Sequence, residues 1–141
     1  MDNCIFCKIV NGQVDAYNLY EDRDYIAILD IMPYVKGQTV VIRKKHLDSR
    51  IFENSDIEIK KIIMASKKVA GMLKLALEPE RVCLVFEGKG VSHLHAKLYP
   101  MHKRKNESDA EFVTPRGHKA AKEELETIYK RIITKNKSSN K

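Results

Sequence analysis

Two of the chain's five histidines stand two residues apart in Ser92-His93-Leu94-His95-Ala96-Lys97-Leu98-Tyr99-Pro100, a run that alternates polar and apolar side chains. Alternation of period two is the pattern of a half-buried strand. Residues i, i+2 and i+4 of a strand share a face, so His93, His95 and Lys97 are expected on one side and Leu94, Ala96 and Leu98 on the other, in a core. Two imidazoles and an amine in a row offer ligands, a nucleophile and a cation. The run alone is equally compatible with a sheet edge carrying polar groups, so its surroundings must decide.

Cys4 and Cys7 have the spacing of half a zinc site, which needs two further ligands. His46 and His93 are available nitrogen donors. No strand precedes the pair, which weakens a thioredoxin-type reading. The third cysteine, Cys83, sits in the apolar run Val82-Cys83-Leu84-Val85-Phe86 and reads as a small buried hydrophobe. Gly88-Lys89-Gly90-Val91-Ser92 precedes the histidine row. It reads either as a plain hairpin turn or as a turn presenting N–H groups to an anion. Asp30, at a strand end, is either a turn aspartate or an acceptor for a ribose diol. His102 and His118 lie in polar stretches and are expected at the surface.

These residues must be held by elements legible in the pattern. Tyr17–Tyr20 and Tyr25–Leu29 flank Glu21-Asp22-Arg23-Asp24 and predict a hairpin with a polar turn. Pro33 and Gly37 punctuate a loop before a strand at Thr39-Val40-Val41-Ile42. Ser55-Asp56-Ile57-Glu58 is a capping box. It opens a helix whose stripe is Ile59, Ile62, Ser66, Val69, Leu73 and Leu77, ended by Pro79. Strands at Arg81–Glu87 and His93–Tyr99 predict a second hairpin, a polar loop follows over Met101–Pro115, and Ala121, Leu125, Ile128 and Ile132 trace a last amphipathic helix. The order β-β-β-α-β-β-α implies an α+β domain with one antiparallel sheet of about five strands.

The 141 residues suit one domain, expected over 1–135, with 136–141 a basic disordered tail. The composition, 43% hydrophobic and 32% charged, is that of a soluble globular protein. Neither a secretory signal pattern nor a membrane-length apolar run is present, so a cytoplasmic location is expected. The net charge of +7 favours an anionic partner. Part of that excess lies in Lys130, Arg131, Lys135, Lys137 and Lys141.

Taken together, the motifs resemble those of the histidine triad (HIT) family. His93-Leu94-His95-Ala96-Lys97-Leu98-Tyr99 resembles its signature His-φ-His-φ-His-φ-φ, where φ is apolar. Cys4-Ile5-Phe6-Cys7-Lys8-Ile9-Val10-Asn11-Gly12 is similar to the opening of its zinc-containing members. Ala27-Ile28-Leu29-Asp30-Ile31-Met32-Pro33 and Gly37-Gln38-Thr39-Val40-Val41-Ile42-Arg43-Lys44-Lys45-His46 follow in the family's order.

The resemblance implies a HIT-like fold and makes His95 the nucleophile that attacks the α-phosphorus of a purine nucleotide or nucleotide conjugate. A covalent nucleotidyl-histidine forms and is then resolved, as a hydrolase or nucleotidyl transferase would do. Implied substrates are nucleoside phosphoramidates, dinucleoside polyphosphates or adenylylated adducts. Ile5, Phe6, Ile28 and Ile31 would line the base pocket, Asp30 would take the ribose, and Gln38, Lys89, Gly90 and Ser92 would complete the nucleotide site. Cys4, Cys7, His46 and His93 would hold a structural zinc, since four protein ligands leave no position for substrate. A homodimer paired through the long helices is implied, with no membrane and no nucleic-acid partner expected.

The chain departs from the family pattern at three positions. Lys97 replaces the third histidine, Gln38 stands where histidine is usual, and Ser92 where proline is common. A lysine keeps positive charge beside the phosphate but is a poor proton shuttle near neutral pH. A nucleotide-binding scaffold with weak or lost turnover, in a regulatory role, is therefore the alternative.

Overall fold

The computed structural model describes residues 3–102 and 120–129. Its elements are α1 (Ile5–Val10), β1 (Asn18–Glu21), β2 (Tyr25–Leu29), β3 (Thr39–Arg43), α2 (Asp56–Leu77), β4 (Arg81–Val85) and β5 (His95–Met101), with a short 3₁₀ turn at Ile51–Glu53. The five strands form one sheet in the order β1-β2-β3-β5-β4, every neighbouring pair antiparallel. This is the expected α+β architecture, with the long helix packed on the sheet. The strand bearing the histidine row is internal, lying between β3 and β4.

The sheet is covered on both faces, which is why β2 and β3 read as continuous apolar runs rather than alternating ones. Tyr25, Ala27, Val41, Ala96 and Leu98 face α2, where Ile62, Ala65, Val69 and Leu73 close the main core. Ile26, Ile28, Val40 and Ile42 face the other way, against Phe6, Ile9 and Val10 of α1. The helix α1 was absent from the predicted elements. Ile5, Phe6, Ile9 and Val10 carry a helical spacing, but over only 6 residues, too short a stretch for periodicity to register.

Four local expectations are corrected. The strand of the histidine row begins at His95, not His93; His93 lies in the approach to it, where the Leu94 N–H donates to the Leu47 carbonyl at 2.9 Å. The strand expected to end at Glu87 ends at Val85. Cys83 is partly rather than fully buried, against Tyr99 and Val35. His102 is half-buried, not exposed. Residues 122–129 are helical, as expected, yet Leu125 and Ile128 are exposed. Most of the Met101–Pro115 loop, His118, Ile132 and the basic tail lie outside the described residues.

The capping box is also diverted. Ser55 is the N-cap residue of α2 but makes no side-chain cap bond, and the Glu58 carboxylate turns to a different partner. Arg43, at the end of β3, donates from Nε to Glu58 Oε2 at 2.8 Å and from Nη2 to Oε1 at 3.3 Å. Its Nη1 reaches the Asp24 carbonyl at 2.8 Å and Asp24 Oδ1 at 3.1 Å, and the guanidinium carbon lies 5.2 Å from the centre of the Tyr25 ring. One buried guanidinium thus joins the long helix, the first hairpin turn and the third strand. A forked cation is better held by a bidentate carboxylate than by a single bond.

Glu58→Gln is expected to lower the unfolding free energy by about 2 kcal/mol at neutral pH. The hydrogen bond from Arg43 holds the Glu58 carboxyl below its usual range. Its contribution is therefore complete above the unfolded carboxylate pKa and is lost as pH falls through the folded value. Urea unfolding followed from pH 7 into the acid range should find the two proteins well separated at neutral pH and converging as pH falls through the folded Glu58 value.

Candidate functional site

Cys4 immediately precedes α1, Cys7 lies within it, His46 follows β3 and His93 precedes β5. The fold brings these four, separated by up to 89 positions, so close that their ligand atoms all lie within 4.8 Å of one another. Cys4 Sγ is 3.4 Å and Cys7 Sγ 3.5 Å from His93 Nδ1, and Cys7 Sγ is 3.3 Å from His46 Nδ1. Zinc bound at ordinary Zn–S and Zn–N lengths in a tetrahedron needs edges of about 3.4–3.8 Å. The donor set and its spacing therefore fit a small, borderline-soft dication such as zinc. Burial, followed by the neighbouring Cys4, pushes the Cys7 thiol up, and a coordinated cation reverses that balance.

His93 is fully buried, and its second nitrogen is already committed. The Nε2–H donates to the Arg43 carbonyl at 2.5 Å, which leaves the Nδ1 lone pair facing the thiols. His95 repeats the arrangement one strand period later. Its Nδ1–H donates to the His93 carbonyl at 2.7 Å, so the lone pair of the neutral ring is on Nε2. Burial holds both imidazoles below the usual histidine range. A neutral ring with one fixed N–H is the form that can coordinate a metal or attack an electrophile. Phe6 packs edge-on against both, its ring centre 5.9 Å from His93 and 5.1 Å from His95.

His95 opens on a cleft of about 710 Å³ between α1, the sheet and the loop before β5, a size usual for small-molecule sites. Of the residues singled out from the sequence, Ile5, Phe6, Ile28, Asp30, Ile31, Lys89, Gly90, His95 and Lys97 line it. The walls are mostly apolar, with two aspartates, Asp15 and Asp30, and two lysines, Lys89 and Lys97. Ile31 is 83% exposed, so it forms rim rather than floor.

Two of the expected residues are elsewhere. Gln38 is buried behind the wall, where its Nε2 donates to Asp30 Oδ2 at 2.6 Å and its Oε1 accepts the Tyr34 N–H at 2.8 Å. With the Met32 N–H on Oδ1, Gln38 holds the Asp30 carboxylate in place without reaching the cleft. Ser92 lies beside the cysteine–histidine cluster, with Asn3, Cys4 and His46.

Sequence reasoning passed over Glu87 and Tyr99. Glu87 Oε2 accepts from Lys97 Nζ at 2.8 Å and Oε1 from the Tyr99 hydroxyl at 2.9 Å. Lys97 is the first reason the Glu87 carboxyl sits below its usual range, while burial, then Glu87, pushes the Tyr99 phenol up. The signal available was the alternation itself, which places Tyr99 on the face of His95 and Lys97. Nothing in the spacing pointed to Glu87.

The HIT domain model matches residues 11–104. An uncharacterised HIT-like protein of Methanocaldococcus jannaschii is 37% identical over 118 residues, covering 78% of this chain and 84% of its own. The crystal structure of a HIT family member from Bacillus subtilis superposes with a TM-score of 0.73 at 29% identity, covering 94% of this chain and 96% of that one. That of a hypothetical histidine triad nucleotide-binding protein from Sulfolobus tokodaii gives 0.66 at 27% identity, covering 92% and 89%. No helix among the described residues is long and apolar enough to cross a membrane. On its fold, its matched domain and its relatives, this chain belongs to the HIT family.

Proposed function

We propose that the protein binds a purine nucleotide conjugate in the cleft and cleaves it at the α-phosphate through a covalent nucleotidyl-His95, as a hydrolase or nucleotidyl transferase. The observation that carries this reading is the 2.7 Å bond from His95 Nδ1–H to the His93 carbonyl. It fixes the tautomer so that the Nε2 lone pair is the ring's reactive position. In-line attack by that lone pair on phosphorus forms the N–P bond and expels the leaving group; an acceptor then takes the nucleotidyl group, with water giving the nucleoside monophosphate. Ile5, Phe6, Ile28 and Ile31 supply an apolar slot for a base, and Asp30, oriented by Gln38, is an acceptor for ribose hydroxyls. Lys89, Gly90 and Lys97 surround the place where phosphate oxygens would lie.

Cys4, Cys7, His46 and His93 would hold one zinc ion, with a structural role. All four positions of a tetrahedron would be protein ligands. Zinc there ties the approach to α1 to the ends of β3 and β5, and so fixes Phe6 against His95. The buried Nε2–H of His93 on the Arg43 carbonyl is the outer support that orients a ligating ring.

Lys97 and Gln38, standing where the family pattern has histidines, favour one other reading, a nucleotide-binding scaffold in which turnover is lost. The same measurements separate the two. His95→Ala should reduce turnover of diadenosine tetraphosphate by at least about a thousandfold, with AMP binding by calorimetry largely kept. Equal rates in wild type and variant would exclude nucleophilic catalysis by His95. Binding of AMP with no substrate consumed by the wild type would establish the scaffold.

Elemental analysis should find about one zinc per chain. Cys4→Ser should lose the metal and melt roughly 5–10 °C lower. A metal-free protein of unchanged stability would remove the zinc assignment.

A further inference from the structure

Glu87 stands two residues beyond the end of β4 and reaches back over the strand it has left. Across the β4–β5 ladder Lys97 pairs with Val85 and Tyr99 with Cys83, so both donors to Glu87 rise from the face that carries His95. Its two oxygens are each taken, one by Lys97 Nζ at 2.8 Å and one by the Tyr99 hydroxyl at 2.9 Å. The Lys97 side chain is only 20% exposed and that of Glu87 35%. This is a half-shielded pair pinned by a third group, unlike the loose surface pairs that contribute little. Tyr99 is among the largest fully buried side chains of the fold and fixes the carboxylate from below.

The consequence concerns how a leaving group departs. An ammonium supplies charge and holds its proton near neutral pH, whereas an imidazolium releases its proton readily. A phosphate or polyphosphate leaves as a stable anion and needs only charge beside it. An amine leaving a P–N bond needs a proton on nitrogen.

The geometry points to Glu87 as a positioning residue that fixes Lys97 as a cation, so that the cleft selects nucleotide conjugates whose leaving group departs as a phosphate-type anion and discriminates against phosphoramidates. This rests on the reading of His95 as nucleophile. The His95 Nε2 electron pair forms the N–P bond; the P–O bond to the leaving phosphate breaks and its pair stays on that oxygen, beside Lys97 Nζ. No proton moves in this step, and His95 keeps its Nδ1–H on the His93 carbonyl. Water then attacks the same phosphorus, the N–P pair returns to Nε2, and the proton lost by water passes to solvent. A P–N substrate fails at the first step, because the departing nitrogen finds no ready proton donor in Lys97.

The test compares diadenosine tetraphosphate with an alkylamine phosphoramidate of AMP, by steady-state kinetics and by mass spectrometry of adenylyl-His95. Wild type should favour the tetraphosphate by about a hundredfold or more in kcat/KM, the range that general-acid assistance supplies. Lys97→His should narrow that ratio at least about tenfold by raising the phosphoramidate rate. Glu87→Gln should lower kcat on the tetraphosphate about tenfold while AMP affinity changes less than about threefold, with Glu87→Asp recovering part of the loss. A purely structural role for Glu87 would instead depress both substrates alike and lower the melting temperature. That outcome overturns the inference, as does a substrate ratio near one in the wild type or a ratio unmoved by Lys97→His; in each case adenylyl-His95 would still form and the nucleophile reading would stand. Absence of that adduct with the tetraphosphate would overturn both.

Discussion

Two backbone carbonyls decide what two imidazoles can do. The Arg43 carbonyl takes the Nε2–H of His93, and the His93 carbonyl takes the Nδ1–H of His95. A neutral imidazole has one donor and one acceptor nitrogen, so assigning the donor assigns the acceptor. The same residue type is thereby turned in opposite senses at neighbouring sites: Nδ1 toward two thiols in one ring, Nε2 free in the other. Both carbonyls belong to backbone held by further bonds, with the Arg43 N–H on the Leu94 carbonyl at 3.1 Å and the Leu94 N–H on the Leu47 carbonyl. Rotating either ring would leave a buried polar group unpaired, a cost of about 1–3 kcal/mol.

Arg43 connects this arrangement to the rest of the fold. Its backbone serves His93, while its side chain serves Glu58 on α2 and Asp24 in the first turn. A buried guanidinium is expensive unless fully paired, and here each partner comes from a different element. The pairing therefore constrains how α2 lies on the sheet as well as compensating the charge. On the opposite face α1 is too short to be stable alone. It is held by Phe6, Ile9 and Val10 against the sheet, and its two cysteines meet the two histidines at its start. The wall of the cleft and the cysteine–histidine cluster are thus one construction.

Polar groups around the cleft are arranged in the same indirect way. Asp30 faces the cleft because Gln38, buried behind it, and the Met32 N–H hold its two oxygens. Lys97 faces it while tied to Glu87, which Tyr99 holds in turn. Gln38 and Lys97, the two departures from the family pattern that bear on the cleft's polar groups, are each engaged with a carboxylate. Each substitution thus belongs to a local hydrogen-bond pair rather than standing as an isolated loss.

The sequence by itself determined the strands, the long helix, the face shared by His95 and Lys97, and the pairing of Cys4 with Cys7. These follow from periodicities of 2 and 3.6 and from short local spacing, which act within a few residues. The residues expected around the cleft came instead from the resemblance to the HIT family, and Ile5, Phe6, Ile28, Asp30, Ile31, Lys89, Gly90, His95 and Lys97 do line it. Periodicity did not reveal α1, whose pattern is shorter than the window in which periodicity is meaningful. The bonds that select each nitrogen were equally illegible. His93 meets a carbonyl 50 positions away, Glu58 leaves its capping box for an arginine 15 positions back, and Glu87 closes on Lys97 across a loop. Such partners are set by which strands lie side by side and by how far a side chain reaches across the sheet. Residue type and spacing made the imidazoles available; only the tertiary structure, by supplying the acceptor for each N–H, decided which nitrogen of each ring keeps its lone pair.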